Sequence, residues 1–260
     1  MGKVIYEKKD YIAYIVLDNP KVNAIDPDMV NDLDEIWKDF RDDEKIWIGI
    51  LSGANNTFSA GFDIKSIFEK TMAGIRFDFL RQSALFGDRN CSPLQHDIWK
   101  PLICAMDGNV NGAGLWLCLA SDYRIATKET NFGLGEVMIN FPVEFTGFMI
   151  RHMPRAIANE LLLTADRITA ERAYTVGMIN KIVPRDELMA EATKIAHKIC
   201  SGGPLSVRAM KKILEYSWNM DNLGILQFTS SIINPVVNSK DTVEACKAFI
   251  EKRKPEWNLK

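Results

Sequence analysis

Two short runs of small residues mark the places on this chain where an oxygen carrying negative charge can be held. The first is Thr57-Phe58-Ser59-Ala60-Gly61-Phe62-Asp63-Ile64-Lys65, which ends the strand-like run Trp47 to Gly53. The second is Gly108-Asn109-Val110-Asn111-Gly112-Ala113-Gly114, set between the apolar run Leu102 to Met106 and the apolar stretch Leu115 to Ala120. Small side chains leave backbone N–H groups uncovered where a strand turns toward a helix, and such amides stabilise developing negative charge. If the amides of Ala60 and Ala113 meet in space, they form a two-point oxyanion hole. That arrangement suits the enolate of a thioester.

The elements that must position these turns alternate between strand and helix. Val4 to Tyr6 and Ile12 to Leu17 read as a hairpin around the polar Glu7 to Asp10. Asp26 is a good N-cap with Pro27 at the first helical position. Behind it Met29, Val30, Leu33, Ile36, Trp37 and Phe40 recur at helical spacing. Strands over Trp47 to Leu51, Leu102 to Met106 and Tyr123 to Ala126 each precede or follow a helix, an α/β signal. From Arg155 onward the pattern is mostly helical: Ala156 to Leu163, Ala170 to Val176, Glu187 to Cys200, Pro204 to Trp218 and Thr242 to Lys252. The expected organisation is an α/β core over residues 1–190 and a helical region over 191–260.

Composition excludes more than it specifies. The net charge is −2 and no basic stretch exceeds a few residues, which argues against nucleic acid as a partner. Five Cys (Cys91, Cys104, Cys118, Cys200, Cys246) have no metal or redox spacing and read as reduced thiols of a cytoplasmic protein. The N-terminus enters a strand pattern directly, so no leader is expected. No apolar run approaches the roughly 20 residues of a membrane span. The three His are too scattered for a metal site, no Ser has a nucleophile-elbow context, and Gly112-Ala113-Gly114 lacks the dinucleotide fingerprint.

Six segments, taken in order, resemble the enoyl-CoA hydratase/isomerase (crotonase) superfamily over nearly the whole chain. They are Leu17 to Ile25, Phe58 to Lys65, Gly108 to Asp122, Phe132 to Glu136, Leu163 to Ile168 with Ala173, Gly177 and Ile179 to Pro184, and Phe249 to Trp257. The resemblance implies a repeated ββα spiral core with a helical C-terminal region that packs on neighbouring subunits, as a homotrimer or homohexamer. It also implies an acyl-CoA thioester substrate, with coenzyme A part of that substrate and no permanently bound cofactor. Ala60 and Ala113 would be the oxyanion donors. Lys21, Val22, Ala24, Asp63, Ile64, Trp116, Phe249 and Lys252 would line the substrate and coenzyme A.

By the same resemblance Glu136 is the principal acid/base, its pKa raised by apolar neighbours such as Phe132, Val137 and Met138. A surface Glu on a loop is the bland alternative. The family's hydratases carry a second Glu where this chain has Trp116, which cannot transfer a proton in this chemistry. Glu144, eight residues after Glu136, matches the second acid of the dienoyl-CoA isomerases. Its apolar surroundings suggest partial burial, costly for an idle carboxylate, and an ion pair with Arg151 or Arg155 is the alternative. Over residues 66–100, Phe68, Met72, Ile75, Phe77, Phe79, Leu80, Leu85 and Phe86 serve either as helix packing or as an acyl lining. Double-bond isomerisation is expected slightly ahead of hydration. A lyase, hydrolase or decarboxylase on the same site, or a non-catalytic acyl-CoA-binding relative, are the alternatives.

Overall fold

In the computed structural model, residues 2–73 and 90–259 are described. The chain starts with the antiparallel pair β1 (Val4–Lys9) and β2 (Ile12–Leu17), Val4 opposite Leu17. Helix α1 (Pro27–Asp42) follows because Asp26 caps it, accepting from the Met29 amide at 3.0 Å, with Pro27 at its start. Its apolar face, Met29, Leu33, Trp37 and Phe40, is fully buried. Trp37 keeps its indole N–H satisfied by donating to the Cys91 carbonyl at 2.8 Å.

Strands β3 (Ile48–Gly53), β4 (Leu102–Met106), β6 (Tyr123–Thr127) and β9 (Lys181–Val183) extend β2 in parallel, in the order β1-β2-β3-β4-β6-β9. β3 and β4 are almost wholly buried, as parallel strands covered on both faces must be. A second sheet runs alongside: β5 (Asn109–Asn111), β7 (Asn131–Gly133) and β8 (Ile168–Thr169), in the order β5-β7-β8. Parallel bridges Ser59 to Val110 and Ile25 to Phe62 continue that ladder back to the first turn. Successive passes of the chain therefore lay one strand in each sheet, which is the expected spiral. Short helix α2 (Ile64–Met72) and helix α3 (Ala113–Leu119) leave from the inner ladder.

The other face of the large sheet is covered by α6 (Leu188–Cys200), after α4 (Arg155–Asn159) and α5 (Ala170–Thr175). Leu188, Ala192 and Ala196 pack with Ile12, Ile48, Ile50 and Ile103. The helix that begins at the expected boundary near residue 190 thus belongs to the sheet's core. The helices that stand off from it are α7 (Pro204–Ser217), α8 (Asn222–Val237) and α9 (Lys240–Ile250). Helix α8 has no clear sequence signal, since Gly224 and Pro235 interrupt its pattern. It starts where Asp221 caps the Gly224 amide at 2.7 Å.

Candidate functional site

The first small-residue turn is held from below by Asn23. This residue is fully buried with φ of 50°, a left-handed conformation that Asn tolerates better than most side chains. Its side-chain amide donates to the carbonyls of Ala54 (3.0 Å), Thr57 (2.9 Å) and Phe58 (3.2 Å). Its backbone carbonyl accepts from Ser59 Oγ at 2.7 Å. One side chain therefore ties the N-terminal turn to three consecutive stations of the loop.

Beyond Asn23 the backbone amides face alternate sides. Ser59 N–H donates to the Asn109 carbonyl at 2.9 Å, and Ala60 N–H turns the other way to the Val22 carbonyl, also at 2.9 Å. Gly61 N–H is taken by Ser59 Oγ at 3.1 Å, and Asp63 N–H by the Ile25 carbonyl at 3.0 Å. Phe62 is bridged to Ile25 through the Gly61 carbonyl and the Asp63 amide. In a parallel ladder, a residue bridged through its neighbours directs its own N–H to the opposite side. The Phe62 amide thus faces Val110 to Ala113. The expectation for Ala60 is corrected accordingly: its amide is bound to Val22. Only the alternation of the ladder reveals this, and a run of small residues does not fix its phase.

The second turn opens at Gly112, whose N–H donates to the Gly133 carbonyl at 3.2 Å and whose φ is 52°. Ala113 is the first residue of α3, so its amide is one of the helix's unsatisfied first donors. It has no hydrogen-bond partner among the described residues. The two turns converge closely. A Cβ on Gly61 would stand 2.9 Å from the Asn111 carbonyl oxygen and 3.2 Å from the Ala113 nitrogen. A Cβ on Gly112 would lie 3.5 Å from the Gly61 Cα and would collide with Glu136 Oε1.

Glu136 therefore lies against the second turn. It opens a 3-10 turn, Glu136–Ile139, directly after β7, and its side chain is half-buried. Its Oε2 is buried and has no hydrogen-bond partner among the described residues. Burial pushes the carboxyl pKa above the ordinary carboxylate value, opposed by the backbone amides of Glu136 and Gly135. A carboxyl in this state is poised to take up a proton.

Trp116 lies one turn into α3, its N–H donating to the Gly112 carbonyl at 3.1 Å. Its ring stacks on Phe145 with centroids 5.5 Å apart and planes 8° from parallel, and its buried Nε1 has no partner among the described residues. Glu144 opens the 3-10 helix Glu144–Arg151 next to that stack; its side chain lies outside the described portion. Arg151 approaches Glu215 at 3.9 Å.

The remaining expected positions spread outward. Asp63 caps α2, accepting from Ser66 N–H (3.0 Å) and Oγ (2.6 Å), and the Ser66 hydroxyl holds its carboxyl below the usual value. Lys21, Val22 and Ile64 are exposed, and Ala24 is half-buried. Phe249 and Lys252 are exposed at the end of α9. Phe68 and Met72 are exposed on α2, while Ile75, Phe77, Phe79, Leu80, Leu85 and Phe86 lie outside the described residues.

Arg124 is a residue whose role sequence reasoning missed. Its guanidinium donates to the Cys118 (3.0 Å) and Leu119 (3.0 Å) carbonyls at the C-terminal end of α3, and to the Met178 carbonyl (2.9 Å). A cation there complements the helix dipole. It also contacts His152 Nδ1 at 3.0 Å; burial, then Arg124 and Arg151, pushes that imidazole down to about 4. Among the described residues no cluster of three His, Cys, Asp or Glu is arranged to hold a metal, and no helix is long and apolar enough to cross a membrane.

Known proteins share this architecture throughout. The sequence family described as enoyl-CoA hydratase/isomerase matches residues 7–260. The carnitinyl-CoA dehydratase of Proteus mirabilis (strain HI4320) is 32% identical over 260 residues, covering 95% of this chain and 94% of that protein. The carnitinyl-CoA dehydratase of Escherichia coli O157:H7 is 32% identical over 259 residues, with the same shares covered. An enoyl-CoA hydratase/isomerase from Mycobacterium paratuberculosis superposes with a TM-score of 0.90 at 27% identity, covering 99% of both chains. An enoyl-CoA hydratase from Mycobacterium tuberculosis H37Rv gives 0.88 at 29% identity over 100% of both. With a matching fold and a matching family profile along nearly its whole length, the chain belongs to the enoyl-CoA hydratase/isomerase family of crotonase-superfamily enzymes.

Proposed function

We propose that this protein holds the carbonyl oxygen of an acyl-CoA thioester on backbone amides and moves a proton of the acyl chain with Glu136. The observation that carries this reading is the Glu136 carboxylate lying against Gly112, next to the Ala113 amide, with one oxygen buried and unpartnered among the described residues. Loss of a proton beside the thioester carbonyl places charge on that oxygen, where amide donors stabilise it. The Ala113 amide is the first donor; the Phe62 amide, directed to the same side, replaces Ala60 as the second. The protonated Glu136 then returns its proton to another carbon.

Relocation of a double bond is favoured over water addition, because Trp116 stands where a second carboxylate would handle the water. Glu144 serves as a second proton site; the stack of its neighbour Phe145 on Trp116 supports this placement. Lys21, Val22, Ala24 and Ile64 serve the coenzyme A end. Phe249 and Lys252 serve it from a neighbouring subunit of a homotrimer or homohexamer. Self-association is supported by the apolar surface of the last helices, where Leu214, Leu226, Val243 and Phe249 are 76%, 65%, 70% and 85% exposed.

A second reading, reversible hydration and dehydration, is favoured by the likeness to carnitinyl-CoA dehydratases. Purified protein separates the two. Exchange of acyl-chain protons with heavy water is compared with hydration of a short 2-enoyl thioester. Fast exchange with slow hydration supports isomerisation, and fast hydration moves the second reading ahead. Absence of both reactions, with no thioester bound, overturns the proposal.

A further inference from the structure

Among the described residues the buried side-chain polar atoms without a hydrogen-bond partner include Glu136 Oε2 and Trp116 Nε1. The first is absorbed by the proton-transfer reading. The second is not, and it is chemically different: an indole nitrogen can only donate. A buried tryptophan N–H normally finds an acceptor, because leaving it unmade costs free energy. The fully buried Trp37 keeps the rule, its Nε1 donating to the Cys91 carbonyl at 2.8 Å.

The position of Trp116 says where its acceptor would lie. It is one helical turn beyond Gly112, to whose carbonyl its own N–H is bonded. Helical side chains lean toward the N-terminus of their helix, a direction that leads from Trp116 toward the turn that carries Ala113 and that Glu136 touches. Phe145 fixes the ring plane from one side by near-parallel stacking. The result is a donor of set orientation, displaced from the Ala113 amide along the path of an acyl chain whose carbonyl that amide holds.

We infer that Trp116 Nε1–H is a specificity-determining donor for an oxygen on the acyl chain, at least two carbons from the thioester carbonyl, so that the preferred substrate is an oxygenated rather than a plain hydrocarbon acyl thioester. This rests on the thioester reading proposed above. A site built to hydrogen-bond a substrate oxygen rejects the analogue lacking it, because its own buried group is then left unpaired.

The test is calorimetric titration of the full chain with butyryl-CoA, 3-hydroxybutyryl-CoA and 4-hydroxybutyryl-CoA, for the parent and Trp116→Phe, which keeps a ring to stack on Phe145 and removes the N–H. In the parent, one of the two hydroxylated thioesters is expected to bind about tenfold tighter than butyryl-CoA, the size of one well-made hydrogen bond. In Trp116→Phe that ratio falls close to one. Equal binding of all three thioesters by the parent overturns the inference, as does a preference that survives in Trp116→Phe. Failure of the parent to bind butyryl-CoA or either hydroxylated thioester instead overturns the thioester reading itself. A Trp116→Phe chain that has lost its fold is recognised by its far-ultraviolet spectrum. Trp116→Tyr, whose hydroxyl sits elsewhere on the ring, then replaces it with the same expected fall in ratio.

Discussion

Glu136 Oε1 fills the space that a side chain on Gly112 would need. The carboxylate proposed as acid/base and the residue preceding the Ala113 amide therefore lie against each other. Gly112→Ala must displace the carboxylate and also carry a side chain at φ 52°, which costs about 1–2 kcal/mol in the left-handed region. A misplacement of about 1 Å at a reacting group can cost on the order of a hundredfold in rate. Turnover of Gly112→Ala is expected to drop by about that factor, with only a small fall in melting temperature. A variant as active as the parent would show that Glu136 is not the acid/base.

Ala113 stands at the first position of α3, where proline is tolerated because its missing N–H has no intrahelical partner. Ala113→Pro should therefore fold while losing one oxyanion donor. The expected effect is about 3 kcal/mol of transition-state stabilisation, or a hundredfold in turnover. Steady-state kinetics on any accepted thioester checks it, and turnover near the parent's in a folded variant removes Ala113 from the site.

Burial raises the Glu136 pKa, and the sign of the consequence is fixed. Below the unfolded-state pKa, about 4.3 for Glu, the carboxyl is neutral in both states and its burial carries no charge penalty. As the pH rises through the higher folded-state pKa, that stability is lost. Glu136→Gln removes the titration. Its melting temperature should match the parent's near pH 4 and exceed it near pH 8, while turnover falls by roughly 10²–10⁴-fold. Thermal unfolding across that range is the measurement, and a gap that shrinks with rising pH contradicts it.

Asn23 makes no contact with the reacting atoms in this account, yet its loss should be felt. Asn23→Ala leaves three buried or half-buried carbonyls short of a donor and puts alanine at φ 50°. The amide shares two N–H donors among these carbonyls, and each lost bond is worth about 1 kcal/mol, so a destabilisation of about 2 kcal/mol is expected. Urea denaturation measures it, and a change below about 1 kcal/mol would mean the loop is held by its backbone bonds alone.

Glu144→Gln separates one proton carrier from two. With Glu144 as the second site, its turnover should fall nearly as far as that of Glu136→Gln. Unchanged turnover and proton exchange would leave Glu136 to work alone.

Much of this architecture was legible because the signals are local. Asp26-Pro27 announced α1, and the small-residue turns announced the start of α3. What stayed hidden depends on partners far away in sequence. The phase of the amides from Ser59 to Asp63 is set by Val22, Ile25 and Asn109. Arg124 takes its role from carbonyls at 118, 119 and 178, which no spacing rule connects. Gly224 and Pro235 conceal helix α8, which buries none of its residues, and α6 joins the sheet because Leu188, Ala192 and Ala196 meet strands such as β3 and β4 more than 80 residues earlier.

The bridges Ser59 to Val110 and Ile25 to Phe62 place the two small-residue turns inside a continuous main-chain lattice. Hydrogen bonds between peptide groups do not depend on which side chains the residues carry. Chemistry anchored this way is insulated from sequence drift: most positions can change, provided the glycines that admit the close approach remain. The substrate preference proposed for Trp116 has no such protection, because that residue contributes a side chain to the site rather than a bond of the lattice. The same scaffold is therefore easy to retarget and hard to disarm, and proteins 27% and 29% identical to this chain superpose along nearly its full length.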